Sequence, residues 1–131
     1  MVGFDKQAPI YVQLADHYKG EIVASRLMAG DKLPSRRDIA KTFKINPNTV
    51  QRAFKSLEEE GIIVSEANVP SRVTENQMII QQLKRDALEQ AMAVFYDTTQ
   101  VLNMDPHEIT TYMTEYFQKR GEQDDWDWKG E

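Results

Sequence analysis

The chain has 131 residues, 40% hydrophobic and 28% charged, the proportions of a soluble globular protein. It contains no cysteine, which excludes disulfides and thiolate metal sites, and no apolar run approaches the roughly 20 residues that span a bilayer. The net charge of −5 is unevenly spread: residues 32–55 carry Lys32, Arg36, Arg37, Lys41, Lys44, Arg52 and Lys55 against Asp38 alone, whereas residues 76–131 carry five basic and eleven acidic side chains. Phosphates respond to charge within a Debye length of roughly 8–10 Å, so the local basic patch outweighs the acidic total. The first residues, from Met1 to Gln7, lack the basic and apolar regions of a secretory signal, and a cytoplasmic protein with no membrane partner is expected.

A first helix is expected from Pro9, a residue suited to a first turn. Ile10, Leu14, Tyr18 and Ile22 recur every four residues, with Val23 and Leu27 beside them, until Gly30-Asp31 ends the segment. Pro34 keeps Lys32-Leu33 extended. A second, short helix opens at Ser35, whose hydroxyl can cap a backbone N–H, and ends near Phe43, with Ile39, Ala40 and Phe43 as its buried side. Lys44-Ile45 is a tight connection, and Lys44 occupies a position where a left-handed residue is needed. The third helix carries Asn46 as its N-cap, Pro47 at its first position, and Val50, Ala53, Phe54 and Leu57 on one apolar face. Gly61 closes it. Ile62-Ile63-Val64 reads as a strand, Asn68 and Pro70 break the run, and Arg72-Val73-Thr74 supplies a return strand.

From Asn76 the pattern becomes a long helix to about Leu102, with Ile79, Ile80, Leu83, Leu88, Met92 and Phe95 among its apolar residues. Asp105-Pro106-His107-Glu108 starts a last helix bearing Ile109, Tyr112, Met113, Tyr116 and Phe117. The fold class is therefore mainly α with a small β-hairpin: a winged helix-turn-helix followed by a two-helix dimerisation segment. The expected divisions are residues 1–75, a DNA-binding domain; 76–120, the two helices; and 121–131, an acidic, disordered tail containing Trp126 and Trp128. A pair of helices with this much apolar surface must bury it, and a two-fold dimer is the commonest way.

Residues 35–60 fit two short helices joined by a tight turn, with Ala40 small enough for their crossing. With one face of the third helix buried, Asn48, Gln51, Arg52 and Lys55 occupy the other, aimed at the major groove of double-stranded DNA. Asn and Gln can pair with adenine and Arg with guanine. Backbone N–H groups at Asn48 and Thr49 lie at a helix N-terminus and are expected to attract phosphate, and Arg36 and Arg37 are placed to hold the DNA backbone. Asn46 and Thr49 also have a purely local reading, as a cap and its helper. The rival from another class is a winged helix that binds a partner protein, which the basic character of residues 32–55 disfavours.

The segments Pro9-Ile-Tyr-Val-Gln-Leu-Ala-Asp, Gly30-Asp-Lys-Leu-Pro-Ser-Arg-Arg-Asp-Ile-Ala, Ile45-Asn-Pro-Asn-Thr-Val-Gln-Arg-Ala-Phe and Leu57-Glu-Glu-Glu-Gly-Ile-Ile together resemble the DNA-binding domain of GntR-type bacterial transcription regulators. The short helical remainder resembles the YtrA subfamily, in which that part mainly dimerises the protein. The resemblance implies DNA contact by Arg37, Asn46, Asn48, Thr49, Gln51 and Arg52; Ser35, Arg36 and Lys55 complete the expected DNA-binding set. The expected function is a sequence-specific transcription regulator, a dimeric repressor of a palindromic operator. The wing departs from the family's Gly-x-Gly-x-Phe-Val hairpin: Asn68 and Pro70 stand at the glycines and Arg72 at the phenylalanine. Asn tolerates a left-handed backbone, but Pro fixes φ and removes a donor, so minor-groove insertion is not expected. Arg72 is read as solvated, with a phosphate contact as the alternative. His17 and His107 are far apart and no HExxH, P-loop, GxSxG or GxGxxG pattern occurs, so neither enzyme activity, nor metal, nor cofactor is expected. Met78, Met92, Met104 and Met113 suit core packing, and no small-molecule effector is assigned.

Overall fold

The computed structural model describes residue 4 and residues 7–123. Its elements are α1 (Ile10–Val23), α2 (Arg36–Phe43), α3 (Pro47–Glu59), β1 (Ile63–Val64), β2 (Arg72–Val73), α4 (Gln77–Val101) and α5 (Pro106–Gln123). The chain divides into two compact units, Met1–Leu88 and Glu89–Glu131, so the division falls inside α4.

In the first unit, the apolar stripes meet as expected. Leu14, Tyr18 and Ile22 of α1 pack with Ile39 and Ala40 of α2 and with Val50, Ala53, Phe54 and Leu57 of α3. Leu33, Ile62, Ile63 and Val73 extend this core beneath the hairpin, and Ile80 of α4 joins it, with Ile79 and Leu83 alongside. The first turns of α4 thus belong to the winged-helix core. Burying each such aliphatic or aromatic side chain is worth about 1.5–3 kcal/mol relative to leaving it in water.

The helix boundaries follow from specific caps. Ser35 Oγ accepts from the Asp38 N–H at 3.0 Å, Asn46 Oδ1 from the Asn48 N–H at 2.7 Å, Asn76 Oδ1 from the Met78 N–H at 3.0 Å, and Asp105 Oδ1 from the Glu108 N–H at 2.9 Å. Each satisfies an N–H that the first helical turn leaves without a carbonyl. Gly61, at φ 74°, ends α3. Its N–H donates to Glu58 O, and the Ile62 N–H reaches back to Leu57 O, the paired bonds of a Schellman motif. Lys44 closes α2 in the left-handed region, at φ 56° and ψ 49°.

One boundary differs from expectation. The first helix stops at Val23, well short of Gly30. Ser25 adopts φ 62°, and the N–H groups of Ser25 and Arg26 bond Ile22 O and Glu21 O. Serine carries no propensity signal for this conformation, so the stop was not legible in the sequence.

β1 and β2 pair antiparallel, Ile63 opposite Val73 and Val64 opposite Arg72. The extended segment before Pro34 completes the sheet on the other side of β2: Lys32 bridges Arg72, and Leu33 N–H donates to Ser71 O at 2.8 Å. In the second unit the long helices leave their apolar faces open. Phe95 is 46% exposed, Tyr96 63%, Tyr116 63% and Phe117 47%. α5 runs through Gln123, so the first residues of the expected tail are helical; the rest of it, with Trp126 and Trp128, lies outside the described residues. Among the described residues no helix is long and apolar enough to cross a membrane.

Candidate DNA-recognition surface

The turn between α2 and α3 consists of Lys44, Ile45 and Asn46. Its left-handed residue lets α3 cross α2 immediately, and the Ile45 N–H returns to Ala40 O at 3.0 Å. Because Val50, Ala53, Phe54 and Leu57 are buried, the helical period of 3.6 residues turns Asn48, Gln51, Arg52 and Lys55 outward. All four are exposed, and Thr49 is half-buried on the flank. Arg37 and Lys41 of α2 and Lys44 of the turn are exposed on the same motif. Among the described residues none of Arg37, Lys41, Lys44 and Lys55 is paired with a carboxylate.

The two other arginines have partners inside the domain. Arg52 lies with its guanidinium carbon 4.0 Å from the centre of the Tyr11 ring on α1. Arg36 lies 4.7 Å from the centre of the Phe54 ring, and its Nη2 donates to Glu58 Oε1 at 3.1 Å. Arg36 Nε is buried with no hydrogen-bond partner among the described residues. That desolvation opposes the contacts to Glu58 and Phe54. Arg36 therefore ties the start of α2 to the end of α3, a role the sequence did not reveal.

Glu58 does more. Ser65 Oγ donates to the same Oε1 at 2.8 Å and lies 2.6 Å from Ser71 Oγ. One carboxylate oxygen thus joins α2, α3 and both ends of the wing loop. In that loop Asn68 takes the left-handed conformation, φ 67°, which asparagine tolerates better than most residues. Arg72 Nη1 donates to Gly30 O at 3.0 Å, so Arg72 is not simply solvated: it clamps the turn before the first extended segment.

The backbone amides at the start of α3 also depart from expectation. The Asn48 N–H is taken by Asn46 Oδ1 and the Thr49 N–H by Asn46 O at 2.9 Å. Both amides are thus taken within the first turn of α3. The Asn46 cap accounts for its Oδ1, and the Ser35 hydroxyl, while accepting from Asp38, retains its own proton to donate.

A helix-turn-helix with a cationic face, three helices packed on one core and a hairpin wing define a winged-helix DNA-binding domain. Residues 10–73 match the family described as bacterial regulatory proteins, gntR family. The chain is 32% identical over 106 residues to the HTH-type transcriptional regulator YhcF of Bacillus subtilis, covering 81% of this chain and 88% of that protein. It is 34% identical over 99 residues to the HTH-type transcriptional repressor YtrA of the same organism, covering 76% and 72%. Its fold is similar to that of a GntR family transcriptional regulator from Listeria monocytogenes, with a TM-score of 0.74, 34% identity, and 86% and 98% of the two chains covered. The chain belongs to the gntR family of bacterial regulatory proteins and is a YtrA-like, DNA-binding transcription regulator.

Proposed function

We propose that this regulator is a cytoplasmic homodimer that represses transcription by occupying a two-fold symmetric operator. The observation that carries this reading is the outward row of Asn48, Gln51, Arg52 and Lys55 on α3, beside exposed Arg37 and Lys41 of α2. In this reading Asn48, Gln51 and Arg52 contact base edges in the major groove. Ser35, Arg37, Thr49 and Lys55 hold phosphates, with Lys41 and Lys44 adding salt-dependent attraction. Arg36 acts from behind, fixing the start of α2. Asn46 sets the entry of α3. The wing loop, residues 65–71, contains Glu66 and no basic residue, which supports a wing that stays out of the minor groove.

Functionally, residues 1–75 read DNA and residues 76–120 pair two copies. Exposed Phe95, Tyr96, Tyr116 and Phe117 support the pairing, since aromatic faces of this kind are ordinarily covered. Repression is the activity that the YtrA relative's name carries. The test is a mobility shift on the DNA upstream of the protein's own coding region at two salt concentrations, with sedimentation of the free protein. The reading predicts specific complexes that survive competitor DNA and a dimer in solution. Absence of binding at low salt, or a concentration-independent monomer near the chain mass of 15.2 kDa, contradicts it.

A further inference from the structure

We infer that Tyr11 is a positioning residue for base recognition: its ring holds the Arg52 guanidinium in the orientation that reads DNA. The inference rests on the proposed base contact by Arg52.

Arg36 and Arg52 both place a guanidinium over an aromatic ring, at 4.7 and 4.0 Å from the centroid. Stacking uses only the flat face of the cation and leaves the in-plane N–H donors for other partners. For Arg36 one of those donors, Nη2, is turned to Glu58. For Arg52, among the described residues, no carboxylate or carbonyl accepts them. Arg52 thus presents an open fork of donors from an exposed position on α3, while its face is held.

The platform is itself fixed. Tyr11 lies in the first turn of α1 and is half-buried, next to the core residues Leu14 and Tyr18. Eight residues beyond each partner, Lys19 of α1 and Glu60, just past the end of α3, meet Nζ to Oε2 at 3.1 Å. Lys19 and Glu60 thus supply a second link between α1 and the end of α3, beside the stack of Arg52 on Tyr11. An arginine has four rotatable side-chain bonds, and an unsupported one samples many orientations before it meets a base. A ring packed against the core selects one family of them before binding, which lowers the ordering cost of the bidentate contact. Tyr11 reaches DNA specificity only through Arg52; it need not touch a base.

The experiment compares Tyr11→Phe, Tyr11→Leu and Tyr11→Met, each alone and combined with Arg52→Ala. Dissociation constants are measured on the site that the unaltered protein selects from random DNA, on that site with each base pair changed, and on random DNA. The expected result is that Tyr11→Phe, which keeps the ring, matches the unaltered protein. Tyr11→Leu and Tyr11→Met bind the selected site about two- to fivefold more weakly, the scale of an exposed cation–π contact, and bind random DNA unchanged. They flatten preference at the same base pair as Arg52→Ala and have no further effect in its presence. A loss that persists in the Arg52→Ala background, or that is equal on random DNA, overturns the inference and makes Tyr11 a packing residue. If Arg52→Ala itself leaves every base preference intact, the base contact by Arg52 fails first, and the role of Tyr11 falls with it. Should Tyr11→Leu and Tyr11→Met fail to fold, as read by thermal unfolding, Tyr11 is a packing residue and the inference is likewise overturned.

Discussion

Arg36 and Glu58 lie 22 positions apart in sequence, yet they meet at 3.1 Å across the helix-turn-helix, nitrogen to carboxylate oxygen. The same oxygen receives Ser65. The pair thereby links the first residue of α2, the last turn of α3 and the root of the wing. Both side chains are about one-third exposed, 39% and 33%, so water screens the ion pair and its own contribution is small. Glu58→Ala removes that pair and one hydrogen bond and is expected to lower stability by about 1 kcal/mol. Urea unfolding of Glu58→Ala, Ser65→Ala and the double variant checks this. The serine change is expected to cost less once Glu58 is gone.

Gly61 carries two constraints at once. Its φ is 74°, and a Cβ there would come within 3.1 Å of Ile79 Cδ1. Gly61→Ala is expected to cost about 1–2 kcal/mol from the backbone alone, with displacement of Ile79 in addition. Chemical denaturation measures the loss. An unchanged midpoint would mean that the end of α3 rearranges without cost.

Lys44 gives a prediction with two signs. It holds φ 56° without being glycine, so Lys44→Gly is expected to raise stability by about 0.5–1 kcal/mol. The same change removes one cation from the motif and is expected to weaken binding to random DNA, with a shallower dependence on salt. Thermal unfolding and a salt titration of binding read the two effects separately.

Tyr18 predicts alkaline behaviour. Burial in the core, with a smaller effect of nearby Glu21, pushes its phenol up to about 12 from 10.0. The folded protein holds this proton where the unfolded chain releases it. The resulting stability is complete below pH 10 and is lost as the pH rises towards 12. Tyr18→Phe, compared with the unaltered protein across that window, is expected to show a flatter fall in stability. A parallel fall in both proteins would assign alkaline unfolding to other groups.

Local chemistry made much of the fold legible. Ser35, Asn46 and Asp105 announce their helices because a side-chain cap acts within three residues, and Val50, Ala53, Phe54 and Leu57 reveal the buried face of α3 by period alone. The outward face, and so the candidate site, follows as its complement. What stayed hidden depends on packing. The end of α1 at Val23 relies on a left-handed Ser25 that no preference announces. The stack of Arg52 on Tyr11 and the clamp of Arg72 on Gly30 join residues 41 and 42 positions apart. Asn46 takes the Asn48 and Thr49 amides through its side chain and its carbonyl, a geometry that residue types at a helix start do not reveal.

The central claim is that α3 reads bases through Asn48, Gln51 and Arg52. Selection of binding sites from random DNA tests it most directly, using the unaltered protein and single Asn48→Ala, Gln51→Ala and Arg52→Ala variants. The account predicts that the unaltered protein enriches a two-fold symmetric sequence with half-sites centred about one helical turn, or a multiple of it, apart. It also predicts that each variant loses preference at a defined position of both half-sites, with about 1–3 kcal/mol of discrimination lost there. Enrichment of the same sequence by all four proteins would contradict it.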